Sequence, residues 1–363
     1  MKFVISSILF ILIYQGALLA QTDSAQKVIK PFSINAFIEA YYGYDFNRPP
    51  DKTRPSFFYN HNRHNQPNIN LALIKMAFLS KNIRSNLSLG AGTYMTTNYE
   101  SQPSIFKNIY EANAGIKVSK NKNLWFDIGV FQSHIGIESA QSDQNFTLTR
   151  SIGAESTPYY ETGIKLAYTS TNNKFFITGL MLNGWQRIKR PSGFTKISYG
   201  TQFQYKPNLT TTFNYSTFFG YDSPDSNLLF RNFHDLYTTF QISKKVSLTS
   251  GLDIGFEKLS RDKRVYQSWL TPVLITKIAF TQTLSVAGRW EYFHDPNQII
   301  IKTDNNNPFK ANGFSTNIDY LFMPHALVRV EARLLKSKYE VFKLGSGYSD
   351  SYRFLTTSLS LSF

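Results

Sequence analysis

The chain has 363 residues, of which 16% are aromatic and 17% are charged, and its formal net charge at pH 7 is +15. It contains no cysteine, which excludes a disulfide framework. Its lysines and arginines are scattered over predicted turns and loops without a stripe or a binding motif, so a nucleic-acid partner is not indicated.

The beginning of the chain predicts export. Lys2 is followed by an apolar run and then by small residues up to Ala20, which is the pattern of a secretory signal peptide. We therefore expect a signal peptide at residues 1–20, a short periplasmic segment at residues 21–31 and a membrane domain at residues 32–363. No later run is long and apolar enough to predict a transmembrane helix.

The rest of the chain alternates between apolar and polar residues, which is the side-chain period of a strand with one apolar face. Residues 110–118, 209–219 and 246–257 show this alternation clearly. Residues 354–363 show it again and end the chain on an aromatic residue. The recurrence predicts strands throughout, and no comparable stretch fits a helical period better.

Turn residues divide this pattern into sixteen predicted strands, which lie near residues 32–45, 68–80, 83–96, 107–119, 123–136, 158–170, 173–186, 195–206, 208–221, 229–242, 246–259, 266–280, 284–295, 311–322, 325–337 and 350–363. Short turns alternate with long polar segments at 46–67, 97–106, 137–157, 187–194, 222–228, 260–265, 296–310 and 338–349. This predicts an all-β protein: a transmembrane antiparallel β-barrel with short periplasmic turns and longer extracellular loops. Because lipid offers no partner for an open sheet edge, the last strand must pair with the first.

Several stretches also resemble a known family. They include "EAYYGYDFNRP" at 39–49, "LWFDIGVFQSHIGIESA" at 124–140 and "PYYETGIKLAYTS" at 158–170, in that order. Together they resemble the putative β-barrel porin-2, or OmpL-like, family of the Gram-negative outer membrane, over about residues 35–240. The resemblance implies a porin in the outer membrane and offers no solute and no catalytic residues. A last strand that ends in Phe363 also resembles the signal read by the barrel-assembly machinery.

The predicted inward faces carry charges of both signs, as the wall of a wet pore does. We expect small hydrophilic solutes or ions to diffuse passively through this lumen, without a cofactor. The candidate lining residues are Arg289, Glu291, Arg329, Glu331, Arg333, Glu111, Lys117, Glu161, Lys165 and Asp253. The first five form the best candidate for a constriction wall, because they alternate along two predicted strands. The alternative is that the charges only pair with one another and fill the space.

Other interpretations remain open at this stage. The segments 46–67 and 137–157 could fold inward as a constriction or cap the mouth. His61 and His64 are more consistent with a loop hydrogen-bond network than with a metal site. Ser133 and His134 are neighbours, and strand neighbours point to opposite faces, so they do not form a nucleophile–base pair within one strand. An occluded structural or adhesin-like barrel and a barrel hydrolase are therefore the alternatives to a porin.

Composition also suggests partners. The excess positive charge fits contact with outer-membrane lipids, above all anionic lipopolysaccharide in the outer leaflet. Porins of this size often form homotrimers, and a homotrimer is one oligomeric state that we expect for this chain.

Overall fold

The structure is a computed structural model that describes residues 31–363. The predicted signal peptide and the predicted periplasmic segment up to residue 30 lie outside the described residues. Sixteen antiparallel strands form a closed barrel. This confirms the predicted fold class and strand number.

The barrel strands have the following bounds: β1 Phe32–Asp45, β2 Pro67–Leu79, β3 Ile83–Ala91, β4 Ile109–Lys117, β5 Asn123–Gln132, β6 Tyr160–Thr169, β7 Phe175–Leu182, β8 Ser198–Asn208, β9 Thr211–Tyr221, β10 Phe230–Gln241, β11 Val246–Lys258, β12 Tyr266–Ala279, β13 Leu284–Asp295, β14 Phe309–Met323, β15 Ala326–Ser337 and β18 Ser351–Ser362. A small hairpin, β16 Phe342–Leu344 and β17 Gly347–Ser349, lies in the last loop. The connections contain two short helices, α1 Thr93–Asn98 and α2 Ile152–Glu155. Among the described residues, no helix is long and apolar enough to cross a membrane.

The seam of the barrel joins β1 to β18, as the sequence predicts. The paired residues run from Phe37 opposite Ser362 to Asp45 opposite Phe354. The backbone of Phe363 continues the ladder, because its N–H donates to the carbonyl of Ala36 at 2.9 Å. Every barrel strand therefore has two neighbours, and no open edge faces the lipid.

Alternation decides which side chains face the lipid. On β18, Leu355 and Leu359 are exposed on the outside, while Thr356 and Ser360 are buried on the inside. On β15, Val330 faces outward between the buried Arg329 and Glu331. The reverse register would place an arginine in lipid, at a cost of about 2–4 kcal/mol near the bilayer midplane.

The predicted strand at 83–96 is wrong in its last part. β3 ends at Ala91, and the following Gly92 has a φ of +124°, a conformation that favours glycine. The chain then forms α1, whose Tyr94 and Met95 are buried inside the barrel. The predicted strand 173–186 is also too long, because β7 ends at Leu182.

The long and short connections predict the orientation of the barrel. Asn306 lies in the long loop between β13 and β14, and Lys244 lies in the short turn between β10 and β11. Both residues are exposed, so a difference in antibody access on intact cells would come from the membrane and not from burial. We expect an epitope inserted after Asn306 to bind antibody on intact cells. An epitope inserted after Lys244 should bind antibody only after the outer membrane is opened, and the opposite pattern would reverse the topology.

Candidate functional site

The ten predicted lining residues all lie on strands at positions whose side chains face the lumen. They divide into two groups by exposure. Glu111, Lys117 and Lys165 are partly exposed. The other seven are buried, namely Arg289, Glu291, Arg329, Glu331, Arg333, Glu161 and Asp253. Whether any of them lies on an ion path stays a prediction.

The seven residues are buried because part of the chain fills the lumen beside them. Residues 133–159, which connect β5 to β6 and are called the inward segment below, contact the inner faces of β13, β14 and β15. The segment 46–66 between β1 and β2 also enters the barrel, where its Phe58 packs against Phe354 of β18. Both segments therefore fold into the barrel, which is one of the two alternatives that the sequence left open.

Carboxylates of the wall accept hydrogen bonds from backbone amides of the inward segment. The amide of Thr149 donates to Glu331 at 2.5 Å, and the amide of Ile152 donates to Glu291 at 2.6 Å. The side-chain oxygen of Asn317 on β14 accepts from Leu148 at 3.1 Å. Charged acceptors form the stronger class of hydrogen bond, so these contacts fix the path of the segment.

Guanidinium groups of the same wall donate to backbone carbonyls of the segment. Arg329 donates to the carbonyl of Ser142 at 2.6 Å, and Arg289 donates to that of Thr149 at 2.6 Å. Arg333 donates to the carbonyl of Arg150 at 2.7 Å. The wall therefore binds both the donors and the acceptors of the segment's backbone.

The wall charges are also paired with one another. Arg289 contacts Glu331 at 2.8 Å, Arg333 contacts Glu291 at 2.5 Å, and Arg329 contacts Asp319 at 2.7 Å. Each arginine thus has a carboxylate partner, which is what a charge buried away from water requires. When Asp319 is counted with Glu291 and Glu331, three carboxylates balance the three arginines, and this part of the wall has no excess of positive charge.

Glu39 of β1, which is separated from the wall only by β18, contacts both entering segments. Its carboxylate contacts His61 Nε2 at 2.9 Å and accepts a hydrogen bond from the hydroxyl of Ser142. His64 takes a different partner, because its Nδ1 accepts from the amide of Asp45 at 2.8 Å. The two histidines of the loop therefore contact different residues. Among residues 31–363, no group of three or more His, Asp or Glu is placed to hold a metal ion.

His134 anchors the beginning of the inward segment. Its Nδ1 lies 2.7 Å from a carboxylate oxygen of Glu161, and its Nε2 lies 2.8 Å from the carbonyl oxygen of Thr217. Both ring nitrogens are therefore engaged by these two residues, which hold the ring in place. Neither of these contacts involves Ser133.

Glu155, one of the acidic residues of the inward segment, is also held by hydrogen bonds. Glu155 in α2 accepts hydrogen bonds from the amide of Tyr59 at 3.0 Å and from the hydroxyl of Tyr159 at 2.5 Å. Burial raises the pKa of the Glu155 carboxyl above its usual value. Tyr59 belongs to the segment 46–66, so Glu155 joins the two entering segments.

Together these contacts close a belt around the lumen. The belt contains one buried, lumen-facing residue from each of the sixteen barrel strands. These residues are Glu39, Leu73, Ser88, Tyr110, Phe131, Glu161, Leu180, Ser198, Ser216, Asp235, Asp253, Thr271, Glu291, Asn317, Glu331 and Thr356. One cavity at this level, beside Gly153 and Asp253, has a volume of about 10 Å³. That is about the volume needed for one water molecule.

An aromatic layer lies on the extracellular side of the belt. It is formed by inward residues at the extracellular ends of the strands and by residues of the loops, including Phe58, Phe218, Phe233, Phe293, Phe309 and Phe342. Alternation in the sequence does not reveal this layer. The layer has apolar side chains on the inner face, so both faces of the strands are apolar there.

A polar vestibule lies on the periplasmic side of the belt. Glu111, Lys117 and Lys165 line it, and Arg84 contacts Asp127 there at 2.5 Å. Glu111, Lys117, Lys165 and Arg84 are partly accessible to water, unlike the residues of the belt, whereas Asp127 is buried. Glu111, Lys117 and Lys165 are therefore the predicted lining residues that solvent reaches in this structure.

The contacts of Arg329 generate a stability prediction. Replacing Arg329 with Gln removes its bonds to the inward segment and its pairing with Asp319. Breaking a buried ion pair on one side costs about 3–5 kcal/mol, so we expect the free energy of unfolding in urea to fall by that amount. The matched control is Lys117→Gln in the vestibule, which should change it by about 0.5 kcal/mol or less. Equal effects of the two substitutions would contradict the anchoring role.

Comparison with known proteins agrees with this architecture. The family model described as putative beta-barrel porin-2, OmpL-like, matches residues 31–363. OmpF of Salmonella typhi, solved in complex with daunomycin, superposes with a TM-score of 0.62 at 10% identity, covering 92% of this chain and 97% of that one. The anion-selective porin of Comamonas acidovorans superposes with a TM-score of 0.60 at 9% identity, covering 92% and 99%.

A third similar structure is the trimer form of OmpT of Vibrio cholerae, with a TM-score of 0.57 at 7% identity, covering 92% of this chain and 99% of that one. No curated protein matches the sequence. At such low identities the solved structures show a shared fold. The family match covers nearly the whole described chain, and the protein therefore belongs to the putative beta-barrel porin-2, OmpL-like, family of outer-membrane proteins.

Proposed function

We propose that this outer-membrane porin is a passive diffusion channel for small hydrophilic solutes or ions and not an enzyme. The observation that carries the proposal is a closed barrel of sixteen strands with a charged inner face, in a chain whose described residues match a porin family model. A barrel of sixteen or more strands is wide enough to enclose an aqueous path when its lumen is not filled.

The lumen is filled in this structure, so passage requires movement. The part that fills the belt is a connection between strands and not the wall itself, and it can move without opening the barrel. We infer that the inward segment is displaced when solutes pass. The vestibule would then receive them at the periplasmic end, where Glu111, Lys117 and Lys165 are already in contact with water.

The filled lumen also favours a second candidate function. An occluded barrel that binds a partner through its extracellular loops would need no path, and the buried belt and aromatic layer fit that function equally well. The two candidates differ in one property, which is conductance.

The proposed oligomer is a homotrimer. Its support is the similar fold of the Vibrio cholerae protein solved in a trimer form. Crosslinking of the purified protein followed by mass determination tests this state.

A designed disulfide tests whether the inward segment must move. A Cβ built at Gly153 would lie 2.7 Å and 3.1 Å from the two γ atoms of Thr271 on β12. In a disulfide, each Cβ lies about 3 Å from the partner's sulfur, so Gly153→Cys with Thr271→Cys should crosslink readily. The chain has no other cysteine to compete.

The measurement is single-channel conductance in planar bilayers. We expect discrete steps from the wild type and from the reduced double variant, and loss of the steps when the disulfide forms. The two single cysteine variants are the controls for each substitution. Steps that persist after oxidation would contradict movement of the segment, and a wild type without steps would favour the occluded barrel.

The vestibule generates a selectivity prediction. Lys117 and Lys165 face water on the periplasmic side of the belt, so replacing both with Gln removes positive charge from the path. We expect the reversal potential across a salt gradient to shift towards cations. The matched variant Glu111→Gln should shift it towards anions, because it removes a negative charge at the same end. Unchanged potentials with normal conductance would exclude these residues from the ion path.

A further inference from the structure

The outer surface of the barrel is not uniformly smooth. One row of outward residues across β12 to β15 is small and consists of the register partners Thr276, Gly288, Thr316 and Ala332. The neighbouring row towards the extracellular side is bulky and consists of Leu274, Trp290, Phe314, Leu334 and Arg353. Phe46 continues the bulky row beside Arg353. Together these rows outline a groove of about 620 Å³, which is called the furrow below.

The furrow is open at its floor. A Cβ built at Gly288 would have its nearest neighbour 4.0 Å away, at the carbonyl oxygen of Ser315. The periplasmic side of the furrow is bordered by branched side chains, including Ile318 and Val330. An elongated apolar group therefore fits between the two borders.

The furrow runs diagonally across the apolar band. Its lower end is at Thr276, close to the periplasmic end of β12 at Ala279. Its course rises through Ala332 towards Arg353, which lies close to the extracellular start of β18 at Ser351. From β12 to β18 there are four strand spacings of about 4.8 Å, which gives roughly 19 Å. One leaflet is about 15 Å deep, so a tilted acyl chain of the outer leaflet has a suitable length.

Cationic side chains stand at the upper end of the furrow. Arg353 is exposed on the outer face and has no ion pair within residues 31–363. Lys336 on the neighbouring β15 lies 2.5 Å from Asp350, but both side chains are about half exposed, so the pairing is weak. Lys310 is the first outward residue of β14. Three adjacent strands thus present cations where the outer leaflet's head groups begin.

We propose that the furrow binds one acyl chain of lipid A, the anionic glycolipid of the outer leaflet, and that Arg353 and Lys336 contact its phosphate. The combination of a long apolar groove and cations at its head-group end matches this lipid, which has both acyl chains and phosphates. A second protein copy fits less well, because its apolar face would bury Arg353 without a partner. The proposal does not depend on whether the barrel conducts.

The test uses the purified full-length barrel in detergent after removal of native lipid, with lipid A as the added probe. Binding is measured by native mass spectrometry over a lipid A titration. We expect Arg353→Gln to weaken binding by about tenfold, because a charge-assisted contact to phosphate is lost. We expect Gly288→Leu to weaken it similarly, because the new side chain occupies the furrow.

Gly179 supplies a matched control. It lies on the outer face of β7, away from the furrow, and a Cβ there would also meet nothing within 4 Å. Gly179→Leu should bind lipid A like the wild type, and heat-modifiable mobility should show that all variants fold. Wild-type affinity in both Arg353→Gln and Gly288→Leu would overturn the site. Equal affinity for phosphatidylethanolamine would overturn the assignment to lipid A, and loss of trimers in Gly288→Leu without loss of lipid binding would assign the furrow to a second copy.

Discussion

The contacts between the charged wall of β13 to β15 and the backbone of the inward segment determine whether the lumen of this barrel is open or filled. A barrel wall alone would leave a wide polar space, because closure of sixteen strands fixes its circumference. Glu291 and Glu331 bind amides of the segment, and Arg289, Arg329 and Arg333 bind its carbonyls. These side chains therefore act first as a binding site for the protein's own chain.

The stability of this arrangement depends on partners for its buried charges and backbone groups. A buried charge is costly unless it is paired, and an unpaired backbone amide or carbonyl in a dry interior is costly as well. Here the arginines neutralise the carboxylates of the wall. Both kinds of side chain also form hydrogen bonds with backbone groups of the inward segment, which has little regular secondary structure of its own. The same reasoning explains why such a segment is displaceable. If it moves outward, water enters, and both the wall charges and the backbone are solvated.

The sequence predicted the parts of the fold that depend on a local period. Alternation placed Arg329 inside and Val330 outside, and the need to close the sheet predicted that the last strand pairs with the first. The residue register of that pairing, with Phe37 opposite Ser362, comes from the structure. The sequence did not predict α1, because its position depends on the turn at Gly92. Nor did it decide the path of the inward segment. Arg329 and Ser142 are 187 residues apart in sequence, and no periodicity relates a wall arginine to a loop carbonyl. His134 was missed as an anchor for the same reason, although a loop rich in polar residues opposite an arginine ladder is a signal that could be sought.

The central claim is that the wall holds the inward segment inside the barrel, and hydrogen exchange tests it most directly. The amides of Thr149 and Ile152 are measured in the membrane-embedded protein, since they donate to Glu331 and Glu291. The account predicts that they exchange much more slowly than the amides of exposed loops, because the segment spends most of its time inside the lumen. Exchange as rapid as that of the exposed loop at residues 260–265 would contradict it, because the segment would then spend its time outside the lumen.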